Sequence, residues 1–208
     1  IYGTGPCIFI NNDYDEEIHV IPDIVTSVNT IDYQKNLTKL PIMLESFVLG
    51  TFVRCNLESY PLLLKKLEII ENRYMDNQLK PLLNYSWNSL KYLSIKSHDN
   101  IHLKYFPENL ETLILQNIQI DINVLPNNLK QLNVDCNYFN QYINNLPKSL
   151  KSLTLKCSSF NQPLDKLPQS LKSLHFLANN FNQPLDKLPQ SLKSLEFYSN
   201  LFNHPLNK

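Results

Sequence analysis

Apolar and polar positions alternate along this chain on a fixed period. With Leu171 as position 1, large apolar residues fall at positions 1, 4, 6, 11, 15 and 18, namely Leu171, Leu174, Phe176, Phe181, Leu185 and Leu188. Pro189 follows at position 19, and Pro126, Pro147, Pro168 and Pro189 recur at one constant interval. The same template runs toward the N-terminus through Leu150, Leu153 and Leu155, then Leu129, Leu132 and Val134, then Leu110, Leu113 and Leu115. Further back it runs through Leu90, Leu93 and Ile95 with Trp87 in the proline slot, Leu64, Leu67 and Ile69, Leu44, Phe47 and Leu49, and Val25 with Val28. One more full step back from Val25 places Cys7 and Phe9 at positions 4 and 6. The chain therefore reads as about ten units over 1–208, a single repeat domain. A loop insertion is expected near 76–85, where the step from Pro61 to Trp87 is the longest.

Each unit predicts one short strand. Positions 4 and 6 are two apart and point to one face, while positions 3, 5 and 7 point to the other. Asn at position 9, as in Asn72, Asn137 and Asn179, is expected to close the strand by satisfying backbone groups at the turn. Positions 15 and 18 are spaced like one turn of helix or 3-10 helix, and the position-19 proline ends that turn. One such unit cannot bury its apolar face alone; stacked units can. The predicted fold is an α/β-type repeat solenoid, mostly β with short helical or 3-10 turns. It is expected to be right-handed and curved, with one parallel sheet of about ten short strands.

The outward positions then become the candidates for function. From Ser152 onward they read as small and polar: Ser152, Thr154, Lys156, Ser173, His175, Ser194 and Glu196. Toward the N-terminus they are apolar, and Ile8, Ile10, Ile31, Val48, Ile70, Tyr92 and Ile114 are the partner-binding candidates. Apolar residues grouped on a solvent face point to a protein partner; they also raise strand propensity, which is the structural alternative.

Composition narrows the classes. The net charge is zero, with 19 basic and 19 acidic residues, which gives no long-range attraction for nucleic acid or an anionic membrane. No apolar run approaches a membrane span, so neither nucleic acid nor membrane is expected as a partner. The chain has 27 Asn and a single Ala, Ala178, which reads as an AT-rich coding sequence and argues against a helical protein.

The motif around Phe160-Asn161-Gln162-Pro163, repeated at Phe181-Asn182-Gln183-Pro184 and as Phe202-Asn203-His204-Pro205, resembles the FNIP repeat, a variant of the leucine-rich repeat. The likeness is strong over 129–208 and is carried upstream by the leucine pattern alone. It implies an amoeba or a giant amoeba-infecting DNA virus as source, and an intracellular protein (host cytoplasm if viral) or a component of the virus particle. Some proteins of this family carry an F-box, which would make the repeats a substrate receptor of a ubiquitin ligase. No F-box is visible between Thr4 and Ile21. A start at Ile1 without Met and an end at Lys208 inside a repeat imply a fragment or processed form.

Catalytic motifs are missing: there is no GxSxG, phosphate loop, HExxH or glycine-rich nucleotide fingerprint. His175 and Glu196 share position 5 of adjacent units and read as a cross-strand polar pair ahead of a general base. Cys136 and Cys157 share position 8, within disulfide reach across adjacent strands, with two buried reduced thiols as the favoured reading. Lysines recur at position 2 (Lys65, Lys91, Lys130, Lys151, Lys172 and Lys193), interrupted by Glu45 and Glu111, and read as a solvated margin. The expected function is a non-enzymatic protein-interaction scaffold without cofactor or metal. The alternatives are a self-assembling virion component and a ubiquitin-ligase receptor. Self-association would use the repeat ends or the sheet face.

Overall fold

A computed structural model describes residues 5–10, 21–51, 53–55, 61–70, 87–103 and 105–206. The expected insertion at 76–85, the position-9 Asn72 and most of the first repeat's turn lie outside the described residues. The chain divides into two compact units, Ile1–His98 and Asp99–Lys208.

Both units are built from parallel strands joined by turns, as the repeat pattern predicts. The first carries β1 (Cys7–Phe9), β2 (Ser27–Asn29), β4 (Ser46–Leu49) and β6 (Lys66–Ile70), each paired with the next, and β6 pairs with β7 (Tyr92–Leu103), which runs through the unit boundary. The second continues with β8 (Thr112–Ile120), β9 (Gln131–Asp135), β10 (Ser152–Lys156), β11 (Ser173–Leu177) and β12 (Ser194–Tyr198), paired in that order. Each unit is thus a parallel β-solenoid, and among the described residues the ladder strands number ten. The first unit adds a small pair that the repeat pattern did not announce, β3 (Asn36–Leu37) with β5 (Arg54–Cys55).

Register explains the core. In the second unit Leu113, Leu132, Leu153 and Leu174 stack at position 4, and Leu115, Val134, Leu155 and Phe176 at position 6, all buried. In the first unit Val28, Phe47, Leu67 and Leu93 make the position-4 row, and Leu49, Ile69 and Ile95 the position-6 row. Thr30 joins that row as a buried polar residue whose hydroxyl donates to the Val48 carbonyl at 2.9 Å and accepts the Gly50 N–H at 3.3 Å. Each buried Leu, Phe or Ile contributes roughly 1.5–3 kcal/mol.

The register of β1 differs from expectation. Ile8 pairs with Val28, and Cys7 with Ser27, so this first step is one residue shorter than the template assumes. Side chains alternate with period two, and a one-residue slip exchanges the faces. Ile10 is therefore buried at 2% exposure and Ile8 is half-buried on the inward side, whereas Phe9 stands 75% exposed on the outer row.

Between strands, helix is scarce. Among the described residues one 3-10 turn occurs, Ile122–Val124, capped by Asp121, whose carboxylate accepts the Asn123 N–H at 2.9 Å. Elsewhere positions 15 to 18 form plain turns that bury pairs such as Leu164 and Leu167. The position-19 proline opens a β-turn: its carbonyl accepts the N–H of the position-1 leucine three residues on, at 3.0 Å for Pro147–Leu150 and Pro168–Leu171. Trp87 substitutes because only its carbonyl is needed, and Leu90 donates to it at 3.1 Å.

The C-terminal motif has a role at nearly every residue. Phe139, Phe160, Phe181 and Phe202 stack with centroids 6.1–6.2 Å apart. The next residue forms an asparagine ladder: the side-chain oxygens of Asn140, Asn161 and Asn182 accept the backbone N–H of Asn161, Asn182 and Asn203 at 2.8–2.9 Å. Gln162 and Gln183 donate to the same asparagines. Ser149, Ser170 and Ser191 each donate to the preceding unit's position-1 carbonyl at 2.6 Å. The ladder thus sits at position 12, and Asn137 and Asn179 at position 9 are exposed in the turn. Small residues, Cys136, Cys157 and Ala178, fill the inward slot at position 8.

Candidate interaction face

The strand face is made of rows fixed by register. In the first unit the position-5 row reads Phe9, Asn29, Val48, Glu68 and Ser94, and the position-3 row Cys7, Ser27, Ser46, Lys66 and Tyr92. Val48 is half-buried and lies between Asn29 and Glu68, so it has no apolar neighbour along its row. Ile70 is half-buried and pairs with Lys96. Ile31 is exposed in the turn after β2. Tyr92 lies under Lys66, whose ammonium is 5.2 Å from the ring centroid and 2.6 Å from the Glu68 carboxylate. Val48, Ile70 and Tyr92 thus share the first unit's strand face but are interleaved with polar residues, while Ile31 lies beyond the strand. Ile8 and Ile10 leave that group as a correction, because the β1 register turns them inward, and Phe9 takes the outward place.

In the second unit the position-5 row is Ile114, Asn133, Thr154, His175 and Glu196. The position-7 row is Gln116, Asp135, Lys156, Leu177 and Tyr198. Leu177 and Tyr198 are exposed, so this end of the face is less polar than its serines suggest. Both stand at position 7 of the last two units, the outward row that carries Lys156 in the unit before. His175 Nδ1 lies 4.0 Å from Glu196 Oε2, too long for a hydrogen bond, and Glu196 is largely exposed, as expected of a surface cross-strand pair.

Around the face, charges are partly matched. Lys65 and Lys130, at position 2, each hold the preceding unit's glutamate, Glu45 and Glu111, at 2.6 Å. The residues that interrupt the lysine row therefore neutralise two of its members. Cys136 and Cys157 are buried free thiols. Burial pushes the Cys157 thiol up to about 12, with smaller contributions from the Cys136 thiol and Asp135 opposing a backbone hydrogen bond. A thiol held protonated in this way is a poor nucleophile.

The FNIP repeat model matches residues 116–158 and 160–200. Among solved structures, the chain is similar to CroV588, described as a novel circular LRR protein structure. The likeness has a TM-score of 0.59 at 22% identity and covers 91% of this chain. The chain spans 36% of that protein's length. No curated protein matches the sequence. The fold is that of a leucine-rich-repeat-like solenoid, and its second unit carries repeats similar to FNIP.

Proposed function

We propose that the protein is a non-enzymatic protein-interaction scaffold that presents the strand face of its repeats to a protein partner. The observation that carries this reading lies in the two nearly identical copies at the C-terminus. Residues 160–174 and 181–195 are identical, and the next six positions differ at four places: His175/Glu196, Leu177/Tyr198, Ala178/Ser199 and Asn180/Leu201. Two of these are outward strand positions, one is the inward slot at position 8, where Ala178 is buried, and one lies in the turn that follows. The copies are identical through the stacked phenylalanine, the asparagine ladder and the proline turn, and they differ at both outward strand positions, 5 and 7. Rigid backbone with variable outward side chains is what a recognition surface requires. The repeat-solenoid fold is consistent with such a scaffold.

Leu177, Tyr198, His175 and Glu196 form the patch favoured in the second unit. Val48, Ile70, Tyr92 and Ile31 form the one in the first, and Ile114 adds a half-buried apolar position to the second. The test is a photo-crosslinking side chain placed at Leu177, at Val48, or at Tyr142 in a turn, each in the full chain within its source cell. Capture of one partner from a strand-face position and not from Tyr142 supports the proposal. With that partner purified, Leu177→Lys with Tyr198→Lys, or Val48→Lys with Ile70→Lys, should weaken binding at least tenfold, about 1.4 kcal/mol. Unchanged affinity in both double variants overturns the strand-face assignment.

A further inference from the structure

Among the described residues of the first unit, the most exposed apolar side chains, Phe9 apart, are concentrated off the strand face. Its first three proline turns, at 22–25, 41–44 and 61–64, are closed by the same bond, from Val25, Leu44 and Leu64 to the carbonyls of Pro22, Pro41 and Pro61. Each proline precedes a strand by the same spacing, and those strands are in matched register, Ser27 beside Ser46 beside Lys66, so the turns stack. A side-chain bond from the Ile42 N–H to the Asp23 carboxylate at 3.2 Å joins the first turn to the second. The central turn residues are Asp23 and Ile24, Ile42 and Met43, and Leu62 and Leu63. Ile24, Ile42 and Leu62 are 71%, 60% and 67% exposed, and Met43 and Leu63 are also exposed.

The turn itself does not need apolar residues there. The equivalent pairs elsewhere are Asn88-Ser89, Glu108-Asn109, Asn127-Asn128, Lys148-Ser149, Gln169-Ser170 and Gln190-Ser191, and those turns close by the same bond. Five large apolar side chains therefore form a continuous ridge along one edge of the first unit, in slots that take polar residues in every other described turn. Adjacent strands lie about 4.8 Å apart, which makes the ridge about 10 Å long from first turn to third.

We propose that this ridge is a self-association interface, on which a second copy of the chain packs ridge to ridge about a two-fold axis near Met43. The area argues for this occupant. At these exposures the five residues offer on the order of 500 Å² of largely apolar surface, the size of the largest patch on a typical monomer, which is often functional. A standard interface takes about 800 Å² from each partner, and homodimer interfaces are about 65% apolar, which is the amount the ridge supplies. A two-fold arrangement is self-complementary, and an apolar ridge with Met43 at its centre satisfies it without any charged partner. This inference is independent of the strand-face reading, which concerns other residues.

Sedimentation equilibrium of the full chain tests it. The expected result is a reversible dimer, twice the 24.3 kDa chain mass. Ile42→Asn with Leu62→Gln, residues that stand in equivalent slots of other turns, should raise the dimer dissociation constant at least tenfold without lowering the melting temperature of the dilute monomer. Tyr138→Ser, at an exposed turn of the second unit, should leave it unchanged. As a second measurement, Met43→Cys on a Cys7→Ser background should form an oxidised dimer, while Asn128→Cys on that background should not. A monomer mass at every concentration, or a dimer that survives the ridge substitutions, overturns the proposal. A monomer that binds neutral phosphatidylcholine vesicles through the ridge overturns it in favour of lipid.

Discussion

Asn117 has φ of 55°, in the left-handed region, inside β8. Burial along that strand alternates through Leu113 and Leu115, pauses at half-buried Gln116 and exposed Asn117, then resumes with Ile118 and Ile120 buried. One residue in the left-handed conformation shifts the alternation by one place, and both halves of the strand keep their apolar side chains inward. Asn tolerates this conformation and a β-branched residue does not. Asn117→Val is expected to cost about 1–2 kcal/mol in urea denaturation and Asn117→Gly no more than a few tenths; equal effects would refute the conformational explanation. Gly50 is constrained differently: a side chain there would run into the backbone carbonyls of Thr30 and Ile31. Cys157 gives a pH-dependent prediction. Its folded pKa is raised from 9.0 to about 12, so its contribution is fully present below pH 9 and is lost as pH rises toward 12. Relative to Cys157→Ala, the wild-type protein should lose about 1.4 kcal/mol of stability per pH unit above pH 9. Parallel pH profiles for the two proteins would refute the assignment.

At the scale of the element, the unit is held by hydrogen bonds as much as by leucines. Removing the Asn161 side chain takes away the acceptor for the Asn182 N–H and for the Gln183 amide. Asn161→Ala should cost about 1–2 kcal/mol, and Asn179→Ala, at the exposed position 9, less than about 0.5 kcal/mol, both read from denaturant midpoints. The opposite ranking would restore position 9 as the structural asparagine. The contrast also shows which parts of this fold can be read from sequence. Strand positions, core rows and the proline turns were legible because burial imposes a fixed spacing from the proline slot to the inward strand positions, and that spacing holds along the ladder from β2 to β12. The asparagine ladder was visible as a repeated letter at Asn140, Asn161, Asn182 and Asn203, but its role was not, because a hydrogen-bond partner in the next unit leaves no spacing signal of its own. The β1 register failed for a related reason. Where only one neighbouring strand fixes it, the shorter and the longer step both place apolar residues inward, as Ile8 and Ile10 or as Cys7 and Phe9. The β3–β5 pair and the apolar turn ridge were not legible from the template, which is silent about everything between its leucines.

At the scale of the whole chain, repeats joined by like contacts should behave additively. The segment 160–180 is one full repeat and offers a direct test, because 160–174 and 181–195 are identical. Deleting 160–180 joins Ser159 to Phe181, and every residue as far as Leu195 then meets the neighbours its deleted counterpart had. Phe181 takes the place of Phe160 on Phe139, Asn182 donates its backbone N–H to the Asn140 side-chain oxygen, and Lys193 donates its backbone N–H to the Lys151 carbonyl. Position 8 would run Cys136, Cys157 and Ser199, which remains a row of small residues. The deleted chain should therefore fold, with strand content reduced in circular dichroism and a single cooperative loss of the second unit's structure. The surface exposed on unfolding falls with the number of units, so its urea m-value should drop by roughly a tenth. Removing Leu164–Leu174 alone should behave otherwise. That cut leaves the chain out of phase with the repeat period, sets Phe176 and Phe181 in slots that no neighbour matches, and should abolish cooperative unfolding of the second unit. If both deletions are tolerated alike, register between units does not specify this fold. If the in-phase deletion fails, the units are not interchangeable, and the identity of 160–174 with 181–195 reflects something other than their shared place in the ladder.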